Sequence, residues 1–263
     1  MPSITFPLEI EEKILDLLSE DDSDEGHSAL KTCSLVCQAF LSICRKHIFG
    51  NIILNEYYVV TPPSTFAFQR LLRKTPEIAD YIRRLDYNIR ISDLTSPLIQ
   101  ESLKRISGLK FLAVRHHNWP IGPRLDWSNN PIRPALLHLL HLPTLTHLKL
   151  TDISRFITSD LIPCVNLQYL DIGLYTTVAA ENSFPAVLPR HSIQLNEFGA
   201  GFGAFPATIM KLCTARRPDG LVIIDFGSLS KITVDFIGLN ASRALQELFR
   251  HCHVLTNVNM SCK

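Results

Sequence analysis

The chain has 263 residues, 46% of them hydrophobic and only 19% charged, with 26 Lys+Arg against 25 Asp+Glu. That balance excludes a disordered, solvating chain, which needs low hydrophobicity and high charge. A net charge of +1 gives no electrostatic footprint for nucleic acid, so none is expected as a partner.

The first residues, Met1-Pro2-Ser3-Ile4-Thr5-Phe6-Pro7-Leu8-Glu9, lack a basic leader and are soon interrupted by Glu11 and Glu12, a poor secretory signal. No stretch approaches the roughly 18 uncharged apolar residues of a membrane helix. Cys33, Cys37, Cys44, Cys164, Cys213, Cys252 and Cys262 include no Cys-x-x-Cys pair and read as reduced thiols of a cytoplasmic or nuclear protein. The sequence calls for no cofactor and no structural metal. Grouped histidines at His116-His117, at His138 with His141 and His147, and at His251 with His253 read as solvated or helix-end residues.

Residues 1–50 carry a net charge of −5 and the remainder +6. Pro7 suits a first helical turn, and Glu9, Glu11 and Glu12 complement the positive end of a helix dipole. Ile10, Ile14, Leu17 and Leu18 recur at helical spacing and predict one apolar face. Asp21 to Gly26 reads as an acidic loop, with Ser28 capping a second helix. A third helical stretch runs to Gly50. Three short helices bury too little surface to stand alone, so this module needs a neighbour or a partner.

Beyond Gly50 a Leu-x-x-Leu-x-Leu-like register recurs. It runs Ile82-x-x-Leu85-x-Tyr87, Leu109-x-x-Leu112-x-Val114, Leu145-x-x-Leu148-x-Leu150 and Leu167-x-x-Leu170-x-Ile172. It continues with Leu195-x-x-Phe198-x-Ala200, Leu229-x-x-Ile232-x-Val234 and Leu255-x-x-Val258-x-Met260. The central positions lie 27, 36, 22, 28, 34 and 26 residues apart. Each register fits a short strand with alternate residues inward. Asn51 to Leu54 reads as an earlier, degenerate strand. Helical segments are predicted at 64–74, 98–107, 135–142, 207–215 and 242–251. Stacked strand–helix units share a core that no single unit could bury.

Two resemblances follow from these residues. Phe6-Pro7-Leu8-Glu9-Ile10-x-x-x-Ile14-Leu15-x-x-Leu18, followed by Leu35-Val36-Cys37-Gln38-Ala39-Phe40, resembles the two halves of the F-box motif. Phe6, Gln38 and Phe40 depart from its usual Leu, basic residue and Trp, and the acidic loop is longer than usual. Residues 51–263 resemble the divergent leucine-rich repeats that follow the F-box in many fungal-type proteins. The fold implied is α/β: a three-helix F-box-like module over 1–50, then an irregular leucine-rich-repeat-like solenoid with a parallel sheet over 51–263. No amphipathic helix follows the last register, and an uncapped solenoid exposes apolar surface. Two readings of that end stay open: an incomplete C-terminus, or a last strand covered in an unusual way.

The resemblance implies a non-enzymatic substrate-recognition adaptor of an SCF-type (Skp–cullin–F-box) ubiquitin ligase. Pro7, Leu8, Ile14, Leu15, Leu18, Leu35, Val36 and Phe40 would fill or support the contact with the Skp adaptor subunit. An unidentified client protein would lie on the open sheet face, with Arg84, Phe111, His147 and Tyr169 as the candidate patch. Two alternatives are a repeat scaffold unconnected to ubiquitin and a dinucleotide-binding enzyme. The latter centres on Gly199-Ala200-Gly201-Phe202-Gly203 through Asp225, where strand, glycine loop, helix and acid-ending strand follow in order.

Overall fold

The computed structural model describes residues 7–20, 23–54, 64–116, 124–179, 184–185, 187–201, 206–236 and 241–262. It opens with three helices, α1 (Leu8–Glu20), α2 (Asp24–Cys33) and α3 (Gln38–Ile48). Eight strands then form one sheet: β1 (Asn51–Leu54), β2 (Arg84–Ile89), β3 (Phe111–His116), β4 (His147–Thr151), β5 (Tyr169–Ile172), β6 (Glu197–Ala200), β7 (Lys231–Phe236) and β8 (Asn257–Cys262). The spatial order is the chain order, and every neighbouring pair is parallel.

Parallel neighbours require crossovers. Helices α4 (Ser64–Lys74), α5 (Ile91–Leu94), α6 (Pro97–Lys104), α7 (Arg133–Leu140), α8 (Pro206–Thr214) and α9 (Ala241–Arg250) supply most of them. Short 3-10 turns at Pro76–Tyr81 and Thr158–Leu161 add to the β1–β2 and β4–β5 connections. Two small two-stranded ribbons, Leu125–Asp126 with Ile153–Ser154 and Ile193–Gln194 with Ile224–Asp225, lie outside the main sheet.

The strand alternation decides which face is covered. Leu85 and Tyr87, Leu112 and Val114, Leu148 and Leu150, Leu170 and Ile172, Phe198 and Ala200, and Ile232 and Val234 are all at most 1% exposed. They pack with Leu72 of α4, Leu103 of α6, Leu139 of α7, Leu212 of α8 and Leu248 of α9 in one continuous core. Each large aliphatic buried this way contributes about 2 kcal/mol. The opposite face carries no covering layer among the described residues. At β8 the pattern changes: Val258 and Met260, in register with Ile232 and Val234, are 43% and 53% exposed.

A polar cluster ties the β3–β5 connections together. Trp127 Nε1–H donates to Asp160 Oδ2 at 2.6 Å, and Arg133 Nη2 donates to both Asp160 oxygens at 2.8 Å. These partners lie 33 and 27 residues apart in the chain.

The helical module has its own small core of Leu15, Leu30, Ile43 and Cys44, backed by the half-buried Leu18, Cys33, Phe40 and Ile48. It meets the sheet through the end of α3. Arg45 pairs with Glu77 at 3.6 Å, the Arg83 N–H donates to the Gly50 carbonyl at 2.8 Å, and Phe49 and Ile52 rest on the main core.

Two local expectations change. The acidic stretch 21–26 is not all loop: α2 begins at Asp24, capped by Ser23, whose Oγ accepts the Gly26 N–H at 3.1 Å. Ser28 therefore lies inside α2. Glu25 is accepted there because the first turn of a helix is the positive end of its dipole. The single apolar stripe expected on α1 also divides in two. Leu15 and Leu18 point into the module, while Ile10, Ile14 and Leu17 are exposed.

Candidate binding faces of the helical module and the open sheet

The adaptor-contact candidates separate by exposure. Ile14 on α1 is 54% exposed, and the turn between α2 and α3 presents Leu35 and Val36 at 85% and 66%. That turn is held by hydrogen bonds from the Leu35 and Val36 N–H groups to the Thr32 and Cys33 carbonyls, both 3.1 Å. Pro7 is exposed at the start of α1, and the side chain of Leu8 lies outside the described residues. Leu15 is fully buried, and Leu18 and Phe40 are half-buried against it, so these three brace the module from within. Ile10 and Leu17 join Ile14 on the outward face of α1. Their spacing was visible in the sequence, but the sequence could not say which face turned outward. His47 Nε2 lies 3.0 Å from Asp16 Oδ1 and links α3 to the last turns of α1.

The four client-patch candidates fall in one line across the open sheet face. Pairing places Arg84 beside Phe111, Phe111 beside His147, and His147 beside Tyr169. Adjacent strands are about 4.8 Å apart, so such neighbours touch. The Arg84 guanidinium sits 3.8 Å from the Phe111 ring centre, a cation–π contact. Phe111 and His147 stack at 6.0 Å between centroids, and His147 and Tyr169 meet at 5.5 Å. Thr146 Oγ1 lies 2.8 Å from His147 Nδ1 and fixes that ring. The line continues through Glu197 and Lys231, paired at 2.9 Å, to Asn257.

The next line, two residues along each strand, reads Asp86, Ala113, Lys149, Asp171, Gly199, Thr233 and Asn259. Lys149 Nζ pairs with Asp171 at 2.7 Å, and Arg84 Nη2 pairs with Asp86 at 3.1 Å. Burial, then the charges of Asp171 and Glu197 and the hydrogen bond to Asp171, push the Tyr169 phenol up to about 12. Tyr169 is therefore a neutral hydrogen-bonding group at physiological pH. The small Ala113 sits between long neighbours and leaves an open recess of about 360 Å³, bordered by Arg84, Phe111, Arg115 and Lys149. Arg115 was not singled out from the sequence, although the period-two alternation from Phe111 through Ala113 leads directly to it.

Beneath this face, on its helix side, the Tyr87 hydroxyl donates to Asp93 Oδ2 at 3.1 Å, and the Arg90 N–H donates to the same oxygen at 3.2 Å. Burial drives the Asp93 carboxyl above its ordinary range, against the lowering effect of these donors.

Among the described residues, the acid-ending strand of the dinucleotide alternative does not lie in the same sheet as β6. Gly199 and Ala200 belong to β6 itself, and 202 and 203 lie outside the described residues. A Cβ on Gly199 would lie 2.9 Å from Asp171 Oδ1, so this glycine serves close packing between strands. The strand expected to end in Asp225 is a two-residue piece paired with Ile193–Gln194 in a separate ribbon. Asp225 Oδ1 accepts the Gly227 N–H at 2.8 Å in a local turn. The strand that follows α8 in the main sheet is β7.

His138 Nε2 lies 3.1 Å from the Ile106 carbonyl and His141 Nε2 lies 2.9 Å from that of Asp160, so the two rings serve different main-chain segments. Among the described residues no group of three or more His, Cys, Asp or Glu is placed to hold a metal, and no helix is long and apolar enough to cross a membrane. Compared with models of known protein families the chain matches none, and comparison with curated proteins gives no match either.

Proposed function

We propose that this protein is the substrate-recognition adaptor of an SCF-type ubiquitin ligase. Helices α1–α3, as an F-box-like module, dock on the Skp adaptor subunit. The open face of the sheet, as a leucine-rich-repeat-like solenoid, holds a client protein. The chain does no covalent chemistry in this reading; it raises the client's effective concentration at the ligase and orients it.

The observation that carries the proposal is the two-faced α1. The module keeps a core of its own, yet Ile10, Ile14, Leu17, Leu35 and Val36 remain in water. Covering the exposed fractions of these five side chains would contribute roughly 6 kcal/mol before the cost of association. Exposed apolar residues repeating along one face of α1 mark an interaction site.

Co-expression with a Skp adaptor subunit tests the reading. The wild-type chain is expected to give a stable complex by size-exclusion chromatography. Ile14→Glu with Val36→Glu is expected to abolish it without changing the melting temperature, because both positions are exposed in the free chain. A repeat scaffold unconnected to ubiquitin would give no complex in either case. Alanine at Arg84, Phe111, His147 and Tyr169 together should spare the adaptor complex while removing client capture.

A further inference from the structure

We infer that the outer edge of β8 pairs with the same edge of a second copy of this chain, giving a symmetric dimer with one continuous sheet. The inference stands independently of the ligase reading.

The two ends of the sheet differ. At the first, Leu54 of β1 is 3% exposed and packs with Phe68 and Leu72 of α4. At the other, Val258 and Met260 turn to the helix side, in register with the buried Ile232 and Val234, yet stay in water. Helix α9 adds to this surface. One residue advances a helix by about 100°. Ala244 and Leu248 face the core, and Glu247 faces α8, where burial and then the Glu247 charge push the Cys213 thiol up to about 12. Phe249 and the half-buried Leu245 therefore lie on the flank away from α8, the flank that borders Val258 and Met260.

The strand suits a copy of itself. Asn257–Cys262 contains no charge and no proline, two of the devices that keep edge strands apart. Among the described residues no strand pairs with its outer side. The Asn257 N–H donates to the Ser230 carbonyl at 3.0 Å. Alternate residues from Asn257 thus turn their main-chain groups to β7, and Val258 and Met260 turn theirs outward. In an antiparallel pair centred on Asn259, Val258 meets Met260 of the second copy, and Met260 meets its Val258, apolar against apolar on the helix side. Asn257 meets Ser261 in the same way on the open face. Because α9 crosses from β7 to β8, the two α9 helices then stand two strand spacings apart, about 10 Å, an ordinary distance for packed helices. Such a contact covers on the order of 1,000 Å², the lower bound for a stable interface. Pairing β8 with β1 of another copy would set Val258 and Met260 against a strand whose helix side is already covered. The symmetric contact matches two uncovered strands and closes at two copies.

The test uses the full chain in multi-angle light scattering over roughly 1–100 μM. The mass is expected to rise from 29.7 kDa toward twice that value. Met260→Lys should weaken association at least about tenfold, with hydrogen exchange in β3–β5 unchanged. Val165→Lys, an equal change at a residue 45% exposed just ahead of β5, should leave it intact. Cross-linking with copper(II) phenanthroline as oxidant, in a Cys37→Ser, Cys262→Ser background, reads the register. Asn259→Cys should cross-link, because opposed residues at the centre have Cα atoms about 5 Å apart, within disulfide reach. Asn257→Cys should not, because the two copies of that position are four residues apart along the pair, about 14 Å. A single-copy mass at every concentration overturns the inference, whether β8 amides exchange freely or are protected by another part of the same chain. So does a dimer that survives Met260→Lys, or cross-linking by Asn257→Cys in place of Asn259→Cys.

Discussion

Leu15 and Ile14 are adjacent in sequence, one buried and the other exposed on α1, which makes them a sharp test of how the helical module is built. Leu15 is 1% exposed and touches a core of only three other fully buried side chains. Leu15→Ala removes three carbons from that core and is expected to cost about 3 kcal/mol, within the range for buried leucine truncations. Ile14→Ala removes a side chain that is half in water, and should cost under about 1 kcal/mol. The module and the sheet keep separate cores, so the loss should be local rather than global. Hydrogen exchange read by mass spectrometry resolves this. Amides of α1–α3 in Leu15→Ala should exchange on the order of a hundredfold faster, as about 3 kcal/mol implies, while those of β3–β7 stay unchanged. The adaptor complex should show the opposite ranking once corrected for the unfolded fraction, Ile14→Ala weakening it by about fivefold. Equal effects of the two substitutions on exchange would refute the two-faced helix, and with it the outward apolar face on which the functional proposal stands.

Further outcomes follow from other parts of the molecule. Arg133→Met leaves the Asp160 carboxylate with Trp127 but no cation, and should lower stability by about 3 kcal/mol in chemical denaturation; a loss under 1 kcal/mol would show the pair to be solvent-screened. Gly199→Ala drives a methyl group against Asp171 and should cost about 1–2 kcal/mol, lowering the melting temperature by a few degrees. Asp93 gives a pH signature with a definite sign. Its native pKa is raised, so the folded state holds the proton more tightly and stability falls as pH climbs from the unfolded carboxyl range through the raised native value. Asp93→Asn keeps an acceptor for the Tyr87 hydroxyl and removes that slope, so its stability relative to wild type should improve with rising pH; a constant difference from acid to neutral pH would contradict the assignment.

Much of the sheet was legible from the residues alone. A strand has a side-chain period of two, and a one-residue slip would turn every apolar side chain to water. The recurring Leu-x-x-Leu-x-Leu register therefore located β2 through β8 and put Arg84, Phe111, His147 and Tyr169 on a common face. The five longer crossover helices begin within two residues of their predicted starts, for the same reason of periodicity.

Helix α1 was less legible because its apolar residues occupy two faces. Which of Leu15 or Ile14 turns inward depends on α2 and α3 supplying Leu30, Ile43 and Cys44, information that α1 does not contain. Gly199 read as a strand position in the recurring register and as a loop residue in the dinucleotide alternative, and the neighbouring Asp171 gives the reason a glycine stands there. The Trp127–Asp160–Arg133 cluster and the recess at Ala113 belong wholly to the tertiary structure. Their partners come from separate crossovers or separate strands, and no local pattern in the chain brings such residues together.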